Sequence, residues 1–173
     1  MPEKYAASEW AKCRVTKPLR AYVDDLPGRI ARGEGLLLLG SVGTGKSSAA
    51  GLVCQEAIRR DIGVRWWYVP DLIPALADRQ HGEYVARKCI ETPLLVWDDF
   101  GVQGLRDWQL GLLDRVVEGR YRRDRPMLVT TNLTRQALED PSLARMNDRW
   151  AERRFAVTIA GESMRSDWRT RNA

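Results

Sequence analysis

The stretch LLLLGSVGTGKSSAAGLVC, residues 36–54, holds glycines, a lysine and serines at a spacing suited to binding phosphate. Gly40, Gly45, Lys46 and Ser47 fit the pattern G-x-x-x-x-G-K-[ST], with Gly43 inside it. Glycine lets the backbone adopt positive φ and approach a ligand closely. An apolar run precedes the pattern and a helical segment follows it, and a helix N-terminus attracts anions. The stretch therefore predicts a phosphate cradle between a strand and a helix.

The chemistry of such a cradle assigns a role to each part of the loop. Lys46, which we expect to be exposed at the junction of loop and helix, adds a positive charge, and the Ser47 hydroxyl completes the shell of a Mg²⁺ ion. The predicted cofactors are thus ATP and Mg²⁺. The alternative is a glycine-rich turn that matches by chance. The predicted nucleotide-binding residues are Gly40, Ser41, Val42, Gly43, Thr44, Gly45, Lys46, Ser47 and Ser48.

Two further polar groups follow apolar, strand-like runs. Asp98 and Asp99 come directly after LLVW, and Asn132 follows MLVTT. We expect Asp98 to bind the metal together with Ser47, and Asp99 to orient the attacking water. Asn132 would align that water or contact the γ-phosphate. The alternatives are a turn or cap for the aspartates and an ordinary turn for Asn132.

The order of elements predicts an α/β fold. Strands are expected at 36–39, 64–69, 94–97, 127–131 and 156–159, and helices at 47–60, 71–79, 83–90, 107–123 and 142–153, with Ser142 as the last helix's N-cap. Thr134 would cap a short helix through residue 139. Alternation of this kind implies a mainly parallel five-stranded sheet between two helical layers. Ligands bind beyond the carboxyl ends of such strands, where the candidate residues lie.

Composition excludes several classes of protein. The chain has 173 residues, of which 44% are hydrophobic and 29% charged, as is typical of one soluble globular domain. No apolar run reaches the ~20 residues of a membrane span, and the first residues lack a signal-peptide core. The three cysteines are far apart, which indicates reduced thiols in the cytoplasm. The single histidine argues against a histidine-based metal site.

Positive charge is concentrated in the last third of the chain. Residues 115–173 hold 13 arginines and 8 acidic residues, which accounts for the whole net charge of +5. This excess indicates either an anionic partner such as nucleic acid or a solvated helical surface. The run RYRRDR, residues 120–125, is interpreted as a solvated helix end, with contact to nucleic-acid phosphates as the alternative.

The segment LLVWDDFGVQ…DWQLGLLDRVVEGRYRRDRPMLVTTNLT resembles the DnaC/IstB-type branch of the AAA+ ATPases, which includes helicase loaders and transposition helper ATPases. The similarity runs from about residue 26 to the C-terminus. Its motifs form an ordered set: the phosphate loop, Walker B followed by Phe100-Gly101, TTN as sensor 1, then ARMNDRW and GESMR. The resemblance implies the P-loop NTPase three-layer sandwich of an AAA+ core, without a sizeable separate lid domain.

The resemblance also implies how the molecule acts. Arg149 corresponds to an arginine finger that reaches a neighbouring subunit's nucleotide, with Arg145 one turn earlier, and Arg165 corresponds to sensor 2. The insert at 71–90 occupies the place of helices that face single-stranded DNA in relatives; its basic residues are Arg79, Arg87 and Lys88. The implied partners are single-stranded DNA, a replicative helicase or transposase, and further copies of the chain in an ATP-dependent homo-oligomer.

Two features depart from the family pattern. Walker B usually ends in Asp-Glu, so Asp99 is one methylene short and hydrolysis is expected to be slow. We divide the chain into a mostly helical lead-in at 1–33 and the ATPase core at 34–173, and we expect a partner-binding element to be missing, very short or supplied by another chain. Three functions stay open: an ATP-driven loader or remodeller, a nucleotide-gated adaptor with little turnover, and a small-molecule P-loop kinase.

Overall fold

Five parallel strands form the central sheet of the computed structural model, which describes residues 1–6, 8–14, 16–101, 104–152 and 154–164, with the backbone alone at 12, 151 and 154. The strands are β1 (Gly35–Leu39), β2 (Val64–Tyr68), β3 (Leu94–Phe100), β4 (Met127–Thr131) and β5 (Arg154–Thr158). Their spatial order is β2-β3-β4-β1-β5. This arrangement confirms the expected parallel sheet, with β2 and β5 at its edges.

Helices cover both faces of the sheet. They are α1 (Glu3–Ala6), α2 (Lys17–Asp24), α3 (Leu26–Ala31), α4 (Lys46–Arg59), α5 (Val69–Ala77), α6 (Gly82–Glu91), α7 (Asp107–Tyr121), α8 (Arg135–Leu138) and α9 (Ala144–Glu152), with 3₁₀ turns at Trp10–Lys12 and Pro141–Leu143. Among the residues described, no helix is both long and apolar enough to cross a membrane.

Side-chain alternation along the strands divides the core into two halves. Leu36 and Leu38 of β1 pack with α2, α3 and α4, whereas Leu37 and Leu39 pack with α5, α6, α7 and α9. Successive residues of a strand point to opposite faces, so an all-leucine strand serves both layers. The resulting three-layer sandwich confirms the predicted fold class.

The predicted element ends lie within three residues of the observed ones, and two of the differences have a clear physical reason. Val69, expected to end a strand, begins α5, because Pro70 suits the first turn of a helix. Ser142 is not the N-cap of the last helix: Asp140 caps a 3₁₀ turn by accepting from the Ser142 N–H, and α9 begins at Ala144. The Thr134 cap is confirmed, since its hydroxyl accepts from the Ala137 N–H.

The interpretation of residues 120–125 as a solvated helix end is wrong for Arg120. Its side chain is 1% exposed and lies between α6 and the residue that precedes β4. The guanidinium donates to carbonyl oxygens of Cys89, Ile90, Thr92, Pro93 and Pro126. Charge alone cannot reveal such a position, because only the packed structure brings those carbonyls together. Arg122 and Arg123 are exposed, as expected.

Candidate functional site

A cleft of about 790 Å³ opens at the carboxyl ends of β1, β2, β3 and β4. The phosphate loop forms one wall, and the ends of β2 and β3 form the other. Within the described residues, nine members of the predicted nucleotide and catalytic set line the cleft: Val42, Gly43, Gly45, Lys46, Ser47, Ser48, Asp98, Asp99 and Asn132. Residues that are up to 90 positions apart in sequence thus meet at the edge where parallel sheets bind ligands.

Lys46 begins α4 and is less exposed than expected. The expectation of an exposed side chain is wrong: only 6% of the residue is accessible. Its Nζ donates to the carbonyl oxygens of Gly40 and Ser41, both at 2.8 Å. The ammonium is therefore held by the loop itself, at the start of the helix, where an anionic ligand is also favoured by the helix dipole.

Glycine is required in the loop by geometry as well as by backbone conformation. Gly43 and Gly45 have φ values of 82° and 98°. A Cβ at Gly43 would lie 2.1 Å from Ser163 Oγ, and one at Gly45 would lie 2.9 Å from Met164 Sδ. The Met164 N–H also donates to the Gly43 carbonyl at 2.7 Å. The segment after β5 thus packs directly on the phosphate loop.

Asp98 is buried at the centre of the cleft, with 5% of its surface exposed. Its Oδ1 accepts hydrogen bonds from Ser47 Oγ at 2.8 Å and Thr130 Oγ1 at 2.7 Å. Burial raises the pKa of Asp98 above its ordinary value, while the two hydroxyl donors oppose that rise and the nearby Asp99 carboxylate adds to it. A cation at this position would relieve the cost of the buried charge.

Asp98 and Asp99 form a β-bulge. Trp97 pairs with Val129 and Phe100 with Thr131, so two residues of β3 face the single Thr130 of β4. The Asp99 N–H donates to Thr130 Oγ1 at 3.0 Å, and the backbone of Asp99 has φ 61°. Aspartate is among the few non-glycine residues that adopt this conformation readily. This gives a structural reason for the short acid in Walker B.

Thr130 is a site residue that sequence reasoning missed. Its hydroxyl donates to Asp98 and accepts from the Asp99 N–H, which links both acids to β4. A signal was present, because Thr130 lies two residues after Leu128 and therefore faces the same helical layer as α4. Thr131 faces the other way and binds the Phe100 carbonyl.

The donor set fits Mg²⁺. Ser47 and Asp98 offer one hydroxyl and one carboxylate at hydrogen-bond distance. Mg²⁺ favours oxygen ligands and is commonly bound through one or two protein groups plus phosphates and waters. Among the described residues, no group of three acidic, histidine or cysteine side chains could hold a metal ion by itself. The residues suit a metal that arrives with a nucleotide.

Two of the three candidate arginines, Arg145 and Arg149, lie away from the cleft. Arg149 lines a small cavity, of about 50 Å³, beside Gly35 and Met127, the first residues of β1 and β4. It forms an ion pair with Glu118 and lies 5.9 Å from the ring centroid of Tyr121. Arg145 is 74% exposed and approaches Asp114 at 3.6 Å. Arg165 lies outside the described residues.

The N-terminal segment also reaches the cleft, which the sequence did not indicate. Pro2, Lys4 and Tyr5 line it beside Trp66 and Tyr68. Lead-in and core, separated in the sequence-based division of the chain, therefore share this cleft. The division itself stays a prediction.

Two curated proteins show what the chain is similar to. It is 28% identical over 135 residues to "Replicative helicase loader DnaC" of Escherichia coli K12, covering 75% of this chain and 54% of that protein. It is 30% identical over 147 residues to "Putative insertion sequence ATP-binding protein y4pL" of Sinorhizobium fredii, covering 80% of this chain and 60% of that protein. The chain thus spans about half to three-fifths of the length of these relatives.

A solved structure gives the same fold. The crystal structure of DnaI superposes with a TM-score of 0.76 at 22% identity, covering 95% of this chain and 94% of that one. The likeness confirms the expected α/β fold, a parallel five-stranded sheet between two layers of helices. The family model described as IstB-like ATP binding protein matches residues 23–172, nearly the whole chain. This chain belongs to the IstB-like ATP-binding protein family.

Proposed function

We propose that this chain binds ATP with Mg²⁺, hydrolyses it, and assembles on DNA to load or remodel a replicative helicase or a transposase. One observation carries the proposal. A single cleft holds a phosphate-loop lysine, a hydroxyl, a buried carboxylate and a second, more exposed acid at the carboxyl edge of the sheet; these are Lys46, Ser47, Asp98 and Asp99. That combination suits phosphoryl transfer to water.

Each residue has a separate task in this reaction. Lys46 and the loop N–H groups hold the β- and γ-phosphates. Ser47 and Asp98 would hold a Mg²⁺ ion, which would supply positive charge that offsets the charge on the transferring group. Asp99 orients a water whose oxygen attacks the γ-phosphorus, and Asn132 aligns that water. The bond between the γ-phosphorus and the bridging oxygen breaks, so that ADP and inorganic phosphate leave.

The class of protein partner follows from the relatives. DnaC is named as a replicative helicase loader and y4pL as an insertion-sequence ATP-binding protein. Since this chain is similar to proteins with both roles, we propose that its protein partner is either a helicase or a transposase. This chain covers only part of the length of either relative.

The DNA surface that we propose lies on α6. Tyr84 is 54% exposed, with Arg87 and Lys88 beside its ring at 5.7 and 5.5 Å from the centroid. An exposed aromatic ring flanked by cations suits single-stranded nucleic acid, because bases stack on the ring and phosphates meet the charges. The sequence indicated Arg87 and Lys88, whereas Tyr84 emerges from the structure.

Turnover measurements with and without single-stranded DNA test the proposal. We expect DNA to stimulate phosphate release by the wild-type chain and Asp99→Asn to lose turnover while its ATP affinity changes by no more than about threefold, less than one charge-assisted hydrogen bond. Tyr84→Ala should weaken DNA binding by about tenfold, the cost of losing one stacked base. Lys17→Ala, at an exposed position of α2 outside the cleft, is the control.

Three results would contradict parts of this proposal. Tight ATP binding without turnover, with or without DNA, would identify a nucleotide-gated adaptor, which the short Asp99 side chain favours. Full turnover in Asp99→Asn would remove that residue from the reaction. Equal DNA affinity at low and high salt would remove nucleic acid from the partners, since phosphate contacts release counterions.

A further inference from the structure

Residues 2–6 and 8–14, here called the N-terminal strap, cross the helical layer that contains α4. At one end, Arg14 Nη1 donates to the Ala160 carbonyl just beyond β5. At the other end, the Tyr5 ring stacks on Trp66 of β2, with centroids 5.3 Å apart and planes at 26°. Since β5 and β2 are the two edge strands, the strap extends from one edge of the sheet to the other.

Two residues of α4 are adapted to the strap. Gln55 Nε2 donates to the carbonyl oxygens of Tyr5, Ala6 and Ser8, at 3.0–3.2 Å. A Cβ on Gly51 would lie 2.9 Å from the Tyr5 carbonyl oxygen. Glycine within a helix costs about 1 kcal/mol relative to alanine, so its presence fits a need for close backbone approach. The helix that follows the phosphate loop, α4, therefore anchors the strap.

The anchored strap places Lys4 in the nucleotide cleft. Lys4 lines the cleft together with Lys46, Ser47 and Asp98, and its positive charge acts on the Asp98 carboxylate. The Lys4 Nζ lies 4.8 Å from the centroid of the Tyr5 ring, which is itself fixed on Trp66. A lysine on a flexible stem can reach a nearby phosphate without any change in the anchored backbone.

The position of Lys4 corresponds to one end of the nucleotide. In the proposed site the γ-phosphate lies next to Ser47 and faces the acids Asp98 and Asp99. The carboxylates of both acids repel the γ-phosphate of ATP. ADP has no γ-phosphate and is not subject to this repulsion. The positive charge of Lys4, on the same side of the cleft as these acids, offsets the repulsion when ATP is bound. The same charge has little effect on ADP, because the γ-phosphate is absent.

We propose that Lys4 is a positioning residue for the γ-phosphate, and that the N-terminal strap thereby makes the cleft prefer ATP to ADP. This inference rests on the proposed ATP site and assigns it one more residue. The strap contributes to the site from outside the phosphate loop, and α4 couples the two.

The test compares the affinities of a non-hydrolysable ATP analogue and of ADP, both with Mg²⁺, by calorimetry on the full chain. We expect Lys4→Ala to weaken the ATP analogue by about five- to tenfold, as for loss of one charge-assisted hydrogen bond at a solvent-accessible site, with ADP unchanged. Lys4→Arg should restore the preference. Lys17→Ala removes the same charge from an exposed site outside the cleft and should leave both affinities unchanged.

A second variant separates the strap from its lysine. Gln55→Glu keeps size but replaces the amide donor by an acceptor that repels the three carbonyls. It should reduce ATP-analogue affinity selectively, as Lys4→Ala does, and expose the strap to limited proteolysis. Equal losses for both nucleotides in Lys4→Ala, or no loss for either, would overturn the inference. A folded wild-type chain that binds neither nucleotide would instead refute the proposed ATP site.

Discussion

Asp98 combines burial with two hydroxyl partners. Ser47 and Thr130 both donate to Oδ1, yet burial remains the largest influence and raises the pKa of the carboxyl. A group whose folded pKa lies above its unfolded value is destabilising when charged. That cost is present above the folded pKa and disappears as the pH falls below the unfolded value. The cleft thus keeps its central acid at the expense of stability.

At the residue scale, we predict that Asp98→Asn is more stable than the wild type near neutral pH, without nucleotide. The amide oxygen can still accept from Ser47 and Thr130, while the buried charge is removed. Melting temperatures across a pH series provide the measurement, and the difference should vanish toward about pH 4, the ordinary range of an aspartate. Asp98→Ala, which leaves both hydroxyls without their acceptor, should be less stable throughout. A wild type more stable than Asp98→Asn at neutral pH would contradict the expected sign.

Arg120 links α6, β3 and β4 by donating hydrogen bonds to backbone carbonyl oxygens near the ends of these three elements. It projects from α7 and donates to the end of α6, to the start of β3 and to the residue before β4. Burial lowers the pKa of Arg120 to about 9, so the guanidinium remains charged at neutral pH. Its bonds hold together the residues that precede β3 and β4. The acids lie on β3, and Asn132 directly follows β4.

At the element scale, we predict that Arg120→Met destabilises the fold by at least about 3 kcal/mol, because several buried carbonyls lose their donor at once. Arg120→Lys should recover only part of this, since an ammonium lacks the guanidinium's fork of donors. Chemical denaturation measures the effect. The exposed Arg123→Ala is the control and should change stability by no more than about 0.5 kcal/mol. Similar unfolding curves for Arg120→Met and Arg123→Ala would show that the carbonyls find other donors.

The whole molecule places its candidate finger far from its own cleft. Arg149 lies beside the amino ends of β1 and β4, whereas the phosphate loop lies at the carboxyl end of β1. The monomer holds the side chain against α7 through Glu118. A role in catalysis therefore requires a second copy of the chain, in which Arg149 exchanges Glu118 for the neighbour's nucleotide.

At the scale of the assembly, we predict that Arg149→Ala binds ATP but loses turnover by about 10³-fold or more, as for arginine fingers in other phosphoryl-transfer systems. Lys46→Ala should lose ATP binding and turnover and remain folded. A mixture of the two should regain part of the activity, because the first supplies a cradle and the second a finger. Light scattering with an ATP analogue and single-stranded DNA verifies assembly. Co-assembled mutants without any recovery would place the arginine in its own chain's site or outside the reaction.

The sequence by itself determined the features that depend on short covalent spacing. The phosphate loop needs glycines, a lysine and a serine within eight residues. The apolar runs that precede Asp98 and Asn132 indicate the two strands. The alternation of strands and helices then requires a parallel sheet, which brings these groups to one edge. The capping role of Thr134 was also readable, because a cap acts within three residues.

Only the tertiary structure decided which distant groups meet. The burial of Arg120 and the donation from Gln55 to the strap join residues 31 and 50 positions apart, and no local pattern encodes them. The bulge at Asp98-Asp99 likewise depends on the register against β4, which places Thr130 opposite two residues. Such contacts depend on how the helical layers pack against the sheet. A polar group that packing buries requires a hydrogen-bond partner, and that partner can come from any part of the sequence. Spacing along the chain therefore specifies the phosphate loop, and packing of the layers specifies what surrounds it.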